Sequence, residues 1–136
     1  MSNINPWTLL ILGILVGLIV PRLMEKPEKA RRVKAQLQIE SISMALKEYK
    51  LDNGDYPTTE QGLQALRTKP GGVERWDGPY LPKNVPLDPW GHAYEYRSPG
   101  EHGEYDIISL GADGTSGGEG ENEDVVNWKD IGATGQ

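Results

Sequence analysis

The sequence predicts an α+β fold in which one long N-terminal helix packs on a small antiparallel sheet. Three observations carry that expectation. From Glu28 to Asn53 there is no glycine or proline, and Ala35, Ile39, Ile42, Leu46 and Tyr49 recur at alternating steps of four and three, which places them on one helical face. HAYEYRS (92–98) and YDIISL (105–110) alternate or run apolar as short strands do, with a Pro99-Gly100 turn and Gly103 between them. A third short strand near Val125 to Trp128 completes the sheet.

In chain order, the first element is an uncharged apolar run, WTLLILGILVGLIVP, from Trp7 to Pro21. Counted from Ile4 through Met24 it approaches the ~20 residues that cross a bilayer as a helix. Residues 1–24 are therefore expected to form a transmembrane half-helix, and residues 25–136 the head. A cleaved secretory signal is the competing expectation, but a basic n-region and an A-x-A-like site are both missing from the run. Pro21 removes a backbone donor and would kink a helix running through it, a cost that packed neighbours in a bundle can absorb. Arg22, Lys26, Lys29, Arg31, Arg32 and Lys34 follow the run, and by the positive-inside rule alone they would leave the head in the cytoplasm.

The apolar run and the amphipathic stretch read as one helix of about 45 residues, ~65 Å at about 1.5 Å per residue, too long for a compact domain of this size. Such a helix projects, and a projecting apolar helix is expected to be buried by other copies. NGDYP (53–57) ends it with turn chemistry. TTEQGLQALRT (58–68) then predicts a short second helix with a Thr cap and Glu60 or Gln61 near the third position. The Pro- and Gly-rich stretch 69–89 is expected to be an ordered loop anchored by Trp76, Tyr80 and Trp90.

Charge is uneven. Residues 1–50 hold eight Lys or Arg and four Glu, and residues 51–136 hold six basic and sixteen acidic side chains. An acidic head does not bind nucleic acid, whose phosphates need a basic face. Two readings of the asymmetry stay open: ordinary solvation of both parts, or a basic stem of one copy meeting the acidic head of another through Arg31, Arg32 or Lys34. The chain has no cysteine, which excludes disulfides and thiolate metal sites. His92 and His102 lie beside turn residues without a nucleophile motif, so an enzyme is not expected.

SLGADGTSGGEGENEDVVNW (109–128) packs five acidic residues and five glycines into one segment. The glycines and acids suit a hard cation such as calcium, which takes six to eight oxygens from carboxylates, carbonyls and water. Asp113 and Asp124 bracket the loop, and Asn122 and Glu123 offer further oxygens. A twelve-residue EF-hand from Asp113 to Asp124 is excluded, because Thr115 and Gly117 stand where acids belong. On chemistry alone, a bound Ca2+ and a solvated acidic loop both remain open.

YKLDNGDYPTTEQGLQAL (49–66), PLDPWGHAYEYRSPGEHGEYDIISLGADG (86–114) and GGEGENEDVVNW (117–128) together resemble the major pseudopilin family of bacterial type II secretion, general secretion pathway protein G. ILGILVGLIVPRL (11–23) resembles its transmembrane half-helix, proline included. The resemblance implies a type IV pilin-like fold and a structural protein, not an enzyme. Such a protein is held in the inner membrane by a single pass, with its head in the periplasm. It is a homo-oligomer that assembles into a helical filament, the pseudopilus, with minor pseudopilins and the inner-membrane secretion platform as further partners. That filament helps move folded exoproteins across the outer membrane. The resemblance also implies a calcium site with Asp113 and Asp124 as ligands and Asn122 where many members carry aspartate; apart from the resemblance, the carbonyls of Leu110 and Ser116 are expected as backbone ligands. Aligning ILGIL and Pro21 puts Ile4 where the family has a glutamate important in assembly, so a replaced or divergent start is expected and processing and N-methylation are not carried over. The alternative from another class is a monomeric, membrane-anchored calcium-binding module.

Overall fold

The computed structural model describes residues 27–129. The expected transmembrane half-helix, with Pro21, lies outside them, and among the described residues no helix is long and apolar enough to cross a membrane. Contacts divide the chain after Ala30, and the head described below begins at Arg31.

The run of helix formers folds as α1, Pro27–Asn53, and Ala35, Ile39, Ile42, Leu46 and Tyr49 are all buried on one face, with Ala45 beside them. Burying an aliphatic side chain contributes about 1.5–3 kcal/mol, so this face is the main link between α1 and the rest of the head. α1 stops where Gly54 takes a φ of 90° and donates its N–H to the Lys50 carbonyl at 2.7 Å. Asn53 Nδ2 donates to the Tyr49 carbonyl at 2.9 Å, covering a second open acceptor of the last turn.

The second helix forms only in fragments. Its cap is present: Gln61 N–H donates to Thr58 Oγ1 at 3.1 Å and Thr58 N–H to Gln61 Oε1 at 2.9 Å, the reciprocal pattern of a capping box. Gly62 then adopts a φ of 66°, which breaks the ladder, and only a short 3-10 turn, Leu63–Leu66, follows. That turn still buries Leu63, Ala65 and Leu66.

Residues 69–89 wrap the head as an irregular loop pinned by its aromatics. Trp76 Nε1 donates to the Ala65 carbonyl at 2.7 Å, and the Tyr80 hydroxyl donates to Asp52 Oδ2 at 2.7 Å. The Tyr80 ring packs edge-on against both Tyr49 and Trp76, each at 5.6 Å between centroids. A Cβ on Gly78 would meet the Trp76 ring at 2.6 Å, so only glycine lets the chain pass between these rings.

The sheet is small and antiparallel: β1, Glu95–Arg97, pairs with β2, Asp106–Ser109, which pairs with β3, Val125–Val126. Glu95 faces Ile108 and Arg97 faces Asp106, while Ser109 faces Val125. Tyr94, Tyr96, Ile107 and Val125 join the buried face of α1 in one core. Asp106 is buried at the tip of the hairpin, where it accepts the N–H groups of Glu101 and His102 at 2.9 and 3.3 Å and sits 3.2 Å from His102 Nδ1. His102 in turn stacks on Trp128 at 3.7 Å, tying the hairpin to the chain beyond β3.

Candidate metal centre

The acidic loop leaves β2 at Ser109 and returns at β3, and its two ends are fixed by the buried pair Asp88 and Ser109 and by the half-buried Asn127. Ser109 Oγ donates to Asp88 Oδ2 at 2.7 Å, while Asp88 Oδ1 accepts the N–H groups of Trp90 and His92 at 3.1 and 2.8 Å. At the far end, Asn127 Oδ1 accepts the Ile107 N–H at 2.8 Å and Asn127 Nδ2 donates to the Tyr105 carbonyl at 3.1 Å. A carboxylate as buried as Asp88 is held by charge-assisted bonds to three donors, which offset its lost hydration.

Between these ends the carboxylates organise the backbone. Asp113 is exposed and its Oδ1 accepts the Thr115 N–H at 3.1 Å. That N–H, together with the Thr115 hydroxyl, holds the Asp113 carboxyl below its ordinary range. Asp124 Oδ2 accepts the Gly117 N–H at 3.1 Å, and its Oδ1 is buried without a hydrogen-bond partner. Gly118, at a φ of 93°, lies so close to Asn122 that a Cβ would meet the Asn122 carbonyl oxygen at 2.6 Å. Asn122 and Ser116 are exposed, and Leu110 is half-buried at the loop's entrance.

Among the described residues, no three His, Cys, Asp or Glu side chains come together as a metal-holding group. A cation here would need the two aspartates completed by carbonyl, amide and water oxygens, the donor set that calcium accepts and softer metals do not. The buried, unpartnered Asp124 Oδ1 fits such an ion, because an anionic oxygen out of water and without a donor is costly unless a cation meets it.

The stem residues separate. Arg31 and Lys34 are exposed on α1. Arg32 is instead engaged within its own chain, donating from Nη1 to the Gly120 and Glu123 carbonyls at 3.2 and 2.7 Å. In the single chain this contact occupies the guanidinium that is expected to pair with a neighbouring head. A signal was present: stepping back three residues from Ala35 continues the buried series of α1 onto Arg32, an unusual place for a charge without a partner.

A family model described as type II secretion system (T2SS), protein G, matches residues 22–128. The type II secretion system core protein G of Vibrio cholerae is 50% identical over 121 residues, covering 87% of this chain and 82% of that protein. The core protein G of Pseudomonas aeruginosa is 46% identical over 121 residues, covering 87% of this chain and 85% of that one. Among solved structures, the major pseudopilin from the type 2 secretion system of enterohaemorrhagic Escherichia coli superposes with a TM-score of 0.64 at 41% identity, covering 81% of this chain and 96% of that one.

Proposed function

The chain belongs to the type II secretion system protein G family, and from that premise we propose how it works as a structural subunit of the pseudopilus. The observation that carries this is the agreement of sequence and fold with a major pseudopilin over most of both chains. In this reading residues 1–24 anchor the chain in the inner membrane and the head stands in the periplasm. Copies then stack into a helical filament that helps move folded exoproteins across the outer membrane, with minor pseudopilins and the inner-membrane platform as partners.

The outward face of α1 supports self-association. Val33, Leu37, Met44 and Leu51 are exposed, Met44 at 66% and Leu51 at 84%, and 37, 44 and 51 fall at intervals of seven, along one side of a helix. Arg31 and Lys34, exposed at the start of the same helix, are proposed to meet acids of a neighbouring head. Calcium is proposed to sit between Asp113 and Asp124, supplying the positive charge that lets the acidic loop converge. Asn122 and the carbonyls of Leu110 and Ser116 are proposed to complete its oxygen ligands. The unpartnered Asp124 Oδ1 supports this site.

Electron microscopy of the full-length protein, extracted gently from membranes, tests the reading. Filaments are expected with calcium and few with chelator, and charge reversal at Arg31 and Lys34 is expected to thin them more at low salt than at high salt. A folded head that stays monomeric in every condition would instead favour an anchored calcium-binding module.

A further inference from the structure

One side chain joins α1 to the acidic loop. Arg32 Nη1 reaches the carbonyls of Gly120 and Glu123, and Nη2 lies 3.8 Å from Glu123 Oε2. The Arg32 side chain is 19% exposed and that of Glu123 52%, so the carboxylate contact is a solvated ion pair and the weaker part of the clamp. The carbonyl bonds do more. They grip the backbone at the start and just past the end of the turn Gly120–Asn122, immediately before Asp124. Within that turn the Asn122 and Glu123 N–H groups donate to the carbonyls of Glu119 and Gly120 at 3.0 and 3.3 Å.

We propose that Arg32 is the positioning residue of the acidic loop: from behind, it fixes the turn Gly120–Asn122 before any metal arrives and so sets where Asp124 stands. The planar guanidinium suits the task, since the two N–H groups of Nη1 are fixed in one plane and donate to the two carbonyls at once, while a lysine ammonium acts as a point charge on a mobile stem. Carbonyls directed at a guanidinium are poor ligands for a second cation. Any metal therefore takes its oxygens from elsewhere in the loop, with Asp124 Oδ1 among them.

The consequence for metal binding rests on the calcium reading above. Two effects oppose: the guanidinium repels a nearby cation, and the clamp removes part of the ordering cost that an exposed loop would otherwise bear on binding. The charge of Arg32 is partly offset by Glu123 and by two carbonyl dipoles, so the ordering effect prevails.

The test uses the full-length protein in detergent as wild type, Arg32→Ala and Arg32→Lys. Amide hydrogen exchange is measured with chelator present, and calcium affinity is then measured by calorimetry. In Arg32→Ala the amides of 117–124 are expected to exchange faster while the Ile107 amide, in the core strand, keeps its protection, a pattern that general destabilisation does not produce. The calcium Kd is expected to rise roughly tenfold in both variants, the scale seen when a group that orients metal ligands is removed. Arg32→Lys keeps the charge and loses the planar pair of N–H donors, and it serves as the second variant if Arg32→Ala fails to fold. Unchanged loop exchange in the folded variants overturns the proposal. A Kd that is unchanged or lower in Arg32→Ala overturns its extension to metal binding. If the wild type takes up no calcium, the calcium reading fails, and the exchange data alone decide the role of Arg32.

Discussion

Around Tyr49, Ile39 and Ile107 the chain is buried among apolar neighbours, whereas from Thr115 to Glu123 every residue whose burial is described is exposed. The first region needs no directional bond to stay in place, because its stability follows from area removed from water. The second buries almost nothing and depends on single tethers: Thr115 N–H to Asp113, Gly117 N–H to Asp124, and Arg32 to two carbonyls. Each such bond contributes net about 0.5–1.5 kcal/mol, somewhat more where a charge takes part. The core thus defines the fold, and the loop is a segment whose order a single side chain can change.

The largest effect is expected in the core. Ile107→Ala removes a fully buried side chain and should cost about 3 kcal/mol, read from urea unfolding, because the rigid surroundings leave a cavity. A cost under about 1 kcal/mol would mean that the sheet is not the rigid partner of α1 described here.

An intermediate effect is expected at the hairpin. Burial pushes the Asp106 carboxyl up, but the N–H groups of Glu101 and His102 and the His102 ring outweigh it and leave it below its ordinary value of 3.8. A carboxyl lowered in the folded state stabilises fully above its unfolded value and loses that contribution as pH falls through the folded one. Stability should therefore drop as pH falls below 3.8, and Asp106→Asn should flatten that drop. Equal acid sensitivity in the variant would place the responsible carboxylate elsewhere.

The smallest effect is expected in the loop. With chelator present, Asp124→Ala should change stability by about 0.5 kcal/mol or less, since it removes an exposed-loop tether along with an unpartnered buried oxygen. In the wild type, calcium is expected to raise the melting temperature by mass action. Asp113→Ala and Asp124→Ala should each abolish that rise, and variants that respond like the wild type would refute the ligand assignment.

The same contrast explains what was legible in the amino-acid sequence. The buried face of α1 was readable because apolar burial writes itself as spacing, and the hairpin and the anchors Trp76 and Tyr80 because turns and aromatics are chemically distinctive. The second helix was over-read: its cap residues, Thr58 and Gln61, form their reciprocal bonds, but Gly62 exercises a conformational freedom that the letter permits without requiring. In the loop, the acids suggest a cation, but nothing in them suggests the partner of Gly120 and Glu123. A backbone carbonyl has the same chemistry at every residue, so nothing in the sequence marks which two Arg32 will hold. Asp88 escaped notice for a related reason, since its partners are two backbone N–H groups and a serine that look ordinary in any strand-and-turn segment.

The Arg32 clamp also imposes an order in time. It joins residues 88 and 91 positions apart, far beyond the four-residue reach of a helical turn or the short span of the hairpin. During synthesis the residues of α1, β1 and β2 are all added before Gly120, so the guanidinium is made long before its acceptors. A chain cut short before Gly120 would keep most of the apolar core yet leave a charge on the buried side of α1 with no acceptor. The contact thereby distinguishes a finished head from a nearly finished one.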